Sequence, residues 1–272
     1  MPPFAAAAKH HLFDNPTIAA FEWNPDSTPL SSLHSLIITV TTYLSLTFLP
    51  LRLRLPPLPA ASLRVLSTLH NLCILSVSVM MAVGCSVAVI TGLENKREVL
   101  CFPVGTVRKG PVFFWAYVFY LSKILEFVDT LLIMLSGSLR RPSFLHVYHH
   151  ATVVIMCYIW LETAQSLFPV ALVTNATVHA VMYSYYLLSG IGIRPRWKRA
   201  VTDCQIAQFG FSFLVSGVML WYHFGSEAGC SGFKGWCFNA VFNASLLYLF
   251  LDFHSKNYKA EQGRRHMRKK DD

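Results

Sequence analysis

Three histidines occupy one turn of a predicted helix. His146, His149 and His150 are spaced at i, i+3 and i+4, which places three imidazole rings on one side of the helix. A neutral imidazole has a free nitrogen lone pair, so it can act as a nucleophile or as a general base. A single histidine in an apolar stretch is more often a packing residue, but packing does not explain three at this spacing. The group therefore indicates a reactive site.

A neighbouring apolar stretch contains three charged side chains. Lys123, Glu126 and Asp129 follow one another at three-residue steps and spread over roughly a third of a helix circumference. Each charge at the centre of a bilayer costs about 2.5–3.5 kcal/mol on insertion scales, so the charged face must look inward. It could orient a substrate or a catalytic group, or it could be an ion network that holds the helices together.

The apolar stretch that follows the histidines carries an amide, an imidazole and a thioether at helical spacing. Asn175, His179 and Met182 fall on one face of a predicted helix, so they could enter the same site. The tyrosines of this stretch are Tyr183, Tyr185 and Tyr186. An aromatic belt at the membrane interface would explain Tyr185 and Tyr186 equally well, but it does not explain His179, which lies deeper.

A further stretch presents neutral hydrogen-bonding groups. Thr202, Gln205 and Gln208 are again three residues apart and share one helix face. They could line the same site, or they could hydrogen-bond to neighbouring helices and hold them together.

Composition places these helices in a membrane. The chain of 272 residues is 54% hydrophobic and 14% charged, against about 25% charged residues in a soluble domain, and its mean hydropathy is +0.44. Windows of about 19 residues place seven spans near residues 31–50, 66–91, 112–136, 144–164, 168–189, 204–224 and 235–254. We therefore predict an all-α integral membrane protein: an N-terminal segment at 1–30, a seven-helix domain at 31–254 and a basic tail at 255–272.

Lysine and arginine residues set the predicted orientation. Alternate segments between the spans hold sixteen of these residues on one side and six on the other, and Lys123 lies inside a span. The positive-inside rule puts the richer side, with the C-terminus, in the cytosol and the N-terminus in the lumen. This topology accounts for the net charge of +9 without a nucleic-acid partner. Lys269 and Lys270 match a dilysine retrieval signal of the endoplasmic reticulum, unless the tail is merely basic.

The polar groups of the different spans lie at comparable depths in the cytosolic half of the membrane. With a rise of 1.5 Å per residue, His149 and His150 lie about 8 Å from the cytosolic end of their span, and Glu126 and His179 about 15 Å from theirs. We therefore expect four helices to contribute side chains to one cavity that opens toward the cytosol.

Four sequence strings, in this order and spacing, resemble the signature motifs of the ELO family of very-long-chain fatty acid elongases. They are KILEFVDT (123–130), HVYHH (146–150), NATVHAVMYSYY (175–186) and TDCQIAQ (202–208). The resemblance covers about residues 30–255, without a departure at the motif positions. The N-terminal stretch FEWNPDSTPLSS looks most like plant members.

The resemblance implies an enzyme, a very-long-chain 3-oxoacyl-CoA synthase. Members of this family are multi-pass proteins of the endoplasmic reticulum membrane. They condense a long-chain acyl-CoA with malonyl-CoA to give 3-ketoacyl-CoA, carbon dioxide and CoA. The resemblance further implies a helical bundle that encloses an acyl-CoA tunnel, with no metal and no cofactor beyond the two substrates. Membrane lipid and the ketoacyl reductase, dehydratase and enoyl reductase of the elongation cycle are the expected partners, and self-association stays open.

The resemblance also assigns roles to the motif residues. His149 is the candidate nucleophile, which would take the acyl group as an acyl-imidazole; Cys157, two turns further on, has no motif support. Residues that could donate hydrogen bonds to the developing oxyanion are His179, Asn175, His150 and the two glutamines. Residues that could fix the imidazole tautomers are Glu126 and Asp129, with Lys123 balancing their charge. His146 completes the catalytic set.

Substrate contacts are expected around this group. Candidate side chains for contacts with either substrate are Gln205, Gln208, Tyr183 and Tyr186. The phosphates of CoA call for a basic mouth, and the candidates on the cytosolic loops are Arg140, Arg141, Arg194, Arg196 and Lys198. The positive-inside rule alone would also put cations there.

Two cysteines on the opposite side of the membrane could form a disulfide. Cys101 and Cys230 lie in predicted lumenal segments, with Cys237 close by. The oxidising lumen permits a disulfide between two lumenal loops, and we favour the pair Cys101–Cys230.

Two other classes of protein fit parts of the pattern. Membrane di-iron desaturases and hydroxylases also use HxxHH boxes, but they need about eight histidine ligands, and this chain has one box plus isolated histidines. Those histidines are His34, His70, His179, His223 and His254. A seven-helix receptor would share the predicted topology, but it has less need of three histidines in one turn.

Overall fold

Ten α-helices and one 3₁₀-helix make up the computed structural model, which describes residues 3–53, 57–93, 95–137 and 142–256. The α-helices are α1 (Pro3–Leu12), α2 (Pro16–Ala19), α3 (Leu33–Leu53), α4 (Ala60–Gly92), α5 (Pro111–Leu125), α6 (Phe127–Leu135), α7 (Phe144–Glu162), α8 (Phe168–Gly190), α9 (Lys198–Phe224) and α10 (Phe233–His254). The 3₁₀-helix is Lys96–Val99. Within these ranges there is no β-strand, only an isolated bridge between Glu22 and Lys109. The part of the chain that the structure describes is therefore all-α, as predicted.

Apolar helices cross the membrane several times. Four of the described helices, α4, α7, α9 and α10, are long and apolar enough to span a bilayer by length and composition, and α3 has a shorter apolar stretch at Leu33–Phe48. The polar side chains predicted for α8 lower its hydropathy, and the third predicted span is divided into two shorter helices. Several passes are thus established, while the count of seven stays a prediction.

The break in the third predicted span lies at Glu126. Residues 112–136 were expected to form one helix, but α5 ends at Leu125 and α6 begins at Phe127. Glu126 has a ψ of −12°, and the Asp129 N–H donates to the Glu126 carbonyl, three residues back instead of four, at 3.0 Å. This tighter turn is of the 3₁₀ type, which often marks functional positions within helices. Hydrophobic windows do not detect it because the flanking residues are equally apolar.

The loops predicted for the lumen meet at one end of the bundle, which we call the disulfide end. Cys101 and Cys230 form a disulfide there, the pair that the sequence analysis favoured. The Ser166 N–H donates to the Ser231 carbonyl at 3.0 Å, and the Ser166 hydroxyl accepts from the Phe102 N–H at 3.0 Å. The loops α4–α5, α7–α8 and α9–α10 are thus joined, which closes this end.

The N-terminal segment packs over the same end. The Trp23 indole is buried and donates to Glu162 at 3.0 Å, and Arg108 forms an ion pair with the same carboxylate at 3.0 Å. The Glu22–Lys109 bridge lies beside them. This segment and the α4–α5 loop are therefore on the same side of the bundle, as the predicted topology requires.

Close helix packing in the core depends on a small residue in α4. The indole ring of Trp115 in α5 lies directly against Gly84 in α4, and a Cβ at Gly84 would overlap the ring. Both residues are buried. The α4–α5 contact therefore requires glycine at this position.

We predict that Gly84→Ala lowers the melting temperature of the protein in detergent. The added methyl must displace the Trp115 ring, and overpacking of this kind costs about 1–3 kcal/mol. Gly210→Ala in α9 is the matched control, because no atom lies within 4 Å of a Cβ added there and alanine favours a helix over glycine by about 1 kcal/mol. Equal melting temperatures for the two variants would contradict the prediction.

Candidate active site

A cavity of about 730 Å³ lies between the helices at the end opposite the disulfide. This volume is typical of small-molecule sites. The cavity reaches the ends of several helices, where Ser143, Tyr186, Lys198 and Phe253 line it. Lys198 and Tyr186 are exposed, so the cavity opens to the surface at the end that the charge distribution assigns to the cytosol.

Most of the side chains predicted for the site line this cavity. Predicted residues in its wall are His146, His149, His150, His179, Glu126, Asp129, Asn175, Tyr183, Tyr186, Gln205, Gln208 and Lys198. They come from α6 to α9 and from the turn at Glu126, so the expected convergence of four stretches on one cavity is what the structure contains. In addition, α4 and α10 contribute lining residues, among them Asn71 and Phe250.

A buried ion group lies at the wall of the cavity. Lys123 donates to Glu126 Oε1 at 2.7 Å, and His179 Nε2 lies 3.6 Å from the same oxygen. Lys123 and Glu126 are each 1% exposed. Lys123 does not line the cavity but lies behind Glu126, with its ammonium group 4.5 Å from the centre of the Phe119 ring. Its role in the structure is to support the carboxylate.

His179 has oxygen acceptors at both ring nitrogens. Nδ1 lies 3.0 Å from the carbonyl oxygen of Asn175, four residues earlier on α8, so it is placed to donate a hydrogen bond there. Nε2 faces Glu126. The ring is therefore fixed in orientation by one backbone and one side-chain group.

The three rings of the histidine box, which consists of His146, His149 and His150, have different surroundings. His146 Nε2 is 2.8 Å from the Thr130 hydroxyl, which is in turn 3.1 Å from the Tyr43 hydroxyl. Nδ1 of His149 and Nδ1 of His150 are buried and have no hydrogen-bond partner among the described residues. Thus His146 is held by a side-chain network, whereas the other two rings keep a nitrogen without a protein partner.

Asp129 is paired with residues outside the histidine box. His70 Nε2 lies 3.0 Å from one of its carboxylate oxygens, and the Tyr183 hydroxyl donates to the other at 2.5 Å. The imidazole that Asp129 orients is therefore His70 of α4, which the sequence analysis treated as an isolated histidine. A polar pair inside an apolar span, His70 and Asn71, was the signal that could have indicated α4 as a fifth contributor.

Amide side chains connect α8 to α9 beside the histidines. The Asn175 amide nitrogen lies 3.5 Å from Gln208 Oε1, and the Gln205 amide lies 3.4 Å from the Met182 sulfur. Both glutamines also line the cavity. The two roles left open by the sequence, contact between helices and exposure to the site, are thus combined in the same residues.

Of the basic residues predicted at the mouth of the cavity, one lines the cavity. Lys198, at the start of α9, lines the cavity, whereas Arg194 and Arg196 are exposed on the α8–α9 loop and are not part of its wall. Residues that fall outside the described ranges are Arg140, Arg141, Lys269 and Lys270. Contact of the basic loop residues with a substrate stays a prediction, and so does the retrieval role of Lys269 and Lys270.

The described residues do not present an evident metal site. No group of three or more His, Cys, Asp or Glu side chains within these ranges is arranged to hold a metal ion. The cavity is lined by imidazoles, carboxylates, amides and hydroxyls, which are suited to acid–base, nucleophilic and hydrogen-bonding chemistry.

Fold and site together define a multi-pass helical membrane protein with a histidine-lined cavity that opens at one end of the bundle. Residues 28–266 match the ELO: GNS1/SUR4 family, and the chain belongs to this family.

Three relatives illustrate the similarity. "Fatty acid elongase A" of Dictyostelium discoideum is 31% identical over 255 residues, which cover 89% of this chain and 90% of the relative. "Very long chain fatty acid elongase 2" of Mus musculus is 30% identical, with 78% and 72% covered. "Fatty acid elongase 3-like" of Arabidopsis thaliana is 32% identical, with 62% and 57% covered. These organisms are diverse, so the likeness to plant members stays a prediction.

We predict that breaking the buried ion group destabilises the protein strongly. Lys123→Met leaves the Glu126 carboxylate buried without its closest partner, which costs about 3–5 kcal/mol, and Lys123→Met with Glu126→Gln recovers most of that loss. The measurement is the thermal unfolding of both variants in detergent.

The exposed pair Lys109–Glu22, at 3.0 Å, provides the matched control for this test. Lys109→Met should change stability by about 0–1 kcal/mol. A Lys123→Met protein as stable as Lys109→Met, or a double variant less stable than Lys123→Met, would show that the ion group does not act as described.

Proposed function

We propose that the protein is a fatty acid elongase of the endoplasmic reticulum membrane, and within that class a very-long-chain 3-oxoacyl-CoA synthase. The observation that carries the proposal is the single cavity in which the rings of the histidine box and His179 come together over the buried Glu126. Membership of the ELO family and the printed names of the relatives support the same activity.

His149 is the proposed nucleophile. Its Nδ1 is buried without a hydrogen-bond partner among the residues that the structure describes, and we assign the attack on the thioester carbonyl of an acyl-CoA to Nε2. The carbon–sulfur bond breaks, CoA leaves as a thiolate that takes up a proton, and the acyl group stays on the ring as an acyl-imidazole. The reaction requires no cofactor beyond the two CoA thioesters.

Malonyl-CoA completes the proposed reaction. Loss of carbon dioxide leaves the electron pair on the α-carbon as an enolate, and this carbon attacks the acyl carbonyl. The carbon–nitrogen bond to His149 breaks, and 3-ketoacyl-CoA is released. Negative charge develops on oxygen in both steps and needs donors placed in advance. We assign this role to His179, His150 and the Asn175 amide, which line the cavity beside His149.

The remaining parts of the proposal concern substrate access and location. Lys198 at the mouth of the cavity supplies positive charge for the CoA phosphates, together with Arg140, Arg141, Arg194 and Arg196 on the neighbouring loops. Lys269 and Lys270 would return the protein to the endoplasmic reticulum, where it would work with the reductases and the dehydratase of the elongation cycle. Neither the di-iron nor the receptor alternative has a specific observation in its favour.

We predict that His149→Ala abolishes condensation while the protein stays folded. Incubation with stearoyl-CoA should add one acyl group to the wild type, measured as intact mass, and none to His149→Ala. Radiolabelled malonyl-CoA should enter acyl chains only with the wild type. Cys157→Ala is the control, since the other conceivable nucleophile on α7 should be dispensable. An undiminished adduct on His149→Ala would move the acylated residue elsewhere.

We predict that His70 is a positioning residue for Asp129. His70→Leu removes the partner at 3.0 Å and frees the carboxylate to shift, and misplacement of a site group by about 1 Å can cost on the order of 100-fold in rate. His70→Gln, which retains a donor, should restore a large part of kcat.

The exposed Cys73, one turn along α4, supplies the control for this comparison. Cys73→Ser should have wild-type kcat and KM in the radiolabelled condensation assay. Equal kcat values for His70→Leu and His70→Gln would contradict a positioning role.

A further inference from the structure

Two hydroxyl groups link the histidine box to α3, a helix without a predicted site residue. The Tyr43 hydroxyl of α3 lies 3.1 Å from the Thr130 hydroxyl of α6, and the Thr130 hydroxyl lies 2.8 Å from Nε2 of His146. Tyr43 is 4% exposed and Thr130 is 1% exposed. Neither residue lines the cavity, whereas His146 does. The chain of contacts therefore begins behind the wall of the cavity and ends at a ring that is part of the wall.

The Tyr43 side chain is held against the first turns of α6. Its ring is stacked on the Phe127 ring, with the centroids 4.0 Å apart and an angle of 15° between the planes. Phe127 and Thr130 are three residues apart, so they share one face of α6. Because α6 is a separate helix after the break at Glu126, these contacts with α3 help to fix the position of the Thr130 hydroxyl.

The number of hydrogens in the chain indicates the direction of its hydrogen bonds. Each hydroxyl has one hydrogen to donate, and buried polar groups are nearly always hydrogen-bonded. Among the described residues, the Tyr43 hydroxyl has one hydrogen bond, to Thr130, and the Thr130 hydroxyl has one other, to His146. If Tyr43 donates to Thr130 and Thr130 donates to Nε2, both hydrogens have an acceptor. If instead Nε2–H donates to Thr130, one hydroxyl hydrogen is left without an acceptor.

This direction determines which nitrogen of His146 carries a hydrogen. With Nε2 as the acceptor, a neutral imidazole has its hydrogen at Nδ1. Nδ1 of His146 has no hydrogen-bond partner in the described part of the chain, and it is not one of the buried unpaired atoms, as Nδ1 of His149 and Nδ1 of His150 are. Since His146 lines the cavity, its Nδ1–H is available to a substrate oxygen.

We infer that Tyr43 is a positioning residue that acts through Thr130 to hold His146 in the Nδ1–H form, so that His146 donates a hydrogen bond to the substrate. This inference rests on the proposed function, because it takes the acyl oxygen of the CoA thioester as the acceptor. His146 then stabilises the negative charge that develops on that oxygen. Its Nε2 lone pair is already occupied, so it does not act as a base there.

The first measurement is the nitrogen NMR spectrum of the full-length protein with isotope-labelled histidine, in detergent and without substrate. Protonated and unprotonated ring nitrogens differ widely in chemical shift, so the spectrum gives the ratio of the two neutral tautomers. The signals of His146 are those missing from the His146→Asn spectrum. In the wild type, Nδ1 should carry the hydrogen. Tyr43→Phe keeps the stacked ring but frees Thr130 to accept from Nε2, so it should shift the ratio toward Nε2–H about fivefold, the effect of one neutral hydrogen bond.

Kinetics on the same proteins separate positioning from a merely structural role. Loss of an interaction made only in the transition state lowers kcat without raising KM. For condensation of stearoyl-CoA with radiolabelled malonyl-CoA, kcat should therefore fall in Tyr43→Phe and Thr130→Val in the order of their Nδ1–H fractions. Thr130→Ser, which retains the hydroxyl, should recover both the tautomer and kcat. Tyr248→Phe is the matched control, because it removes the hydroxyl of an exposed tyrosine of α10, and it should equal the wild type in both measurements.

Two substitutions of His146 test the donor without a change at Tyr43 or Thr130. The side-chain amide of asparagine can place an N–H where Nδ1 lies, whereas the longer side chain of glutamine reaches the position of Nε2. His146→Asn should therefore retain a kcat about tenfold higher than that of His146→Gln, part of the effect of one oxyanion donor. A glutamine variant that is as active as the asparagine variant would overturn the donor role.

The outcomes separate this inference from the proposed function. Hydrogen at Nε2 in an active wild type, or a tautomer ratio and a kcat that stay unchanged in Tyr43→Phe and Thr130→Val, overturns this inference alone. A wild type that carries hydrogen at Nδ1 but condenses no substrate overturns the proposed function, and the donor role of His146 with it.

Discussion

The buried carboxylate of Glu126 is the constraint on which the site depends. An ionised carboxylate in an apolar interior is tolerated only when cations and donors surround it. Lys123 approaches it from one side at 2.7 Å and His179 from the other at 3.6 Å. These contacts join the α5–α6 break to α8, and they require the two elements to keep a fixed distance. The position of the reactive rings is therefore set by charge compensation as well as by packing.

The two ends of the bundle are held by different interactions. At the disulfide end, backbone hydrogen bonds, a covalent bond and the buried Trp23 join the loops. At the opposite end, side-chain contacts such as Asp203 with His254, at 3.0 Å, tie α9 to α10. Side-chain contacts of exposed groups are weaker than a closed backbone network. The end at which the cavity opens is thus the end with the weaker restraints.

Sequence patterns predicted the helices and the polar faces of this protein, but not the pairing of side chains. Helical spacing correctly predicted that the histidine box, Asn175, His179 and the glutamines line one cavity. The free-energy cost of exposing polar side chains to lipid forces the polar faces of the helices inward. Spacing contains no information about which helices are neighbours, so the His70–Asp129 pair and the position of Lys123 behind Glu126 needed the structure. The break at Glu126 was missed because the same hydropathy continues on both sides of it.

The two histidines proposed to act on the acyl group have opposite surroundings. Both nitrogens of His179 face oxygen acceptors, an arrangement that suits a ring that donates hydrogen bonds. Nδ1 of His149 has no hydrogen-bond partner among the described residues, and in the proposed mechanism the Nε2 lone pair attacks the acyl carbonyl. The proposed division between nucleophile and donor uses this difference, because Glu126 faces a ring nitrogen of His179, whereas Nδ1 of His149 has no hydrogen-bond partner in the described part of the chain.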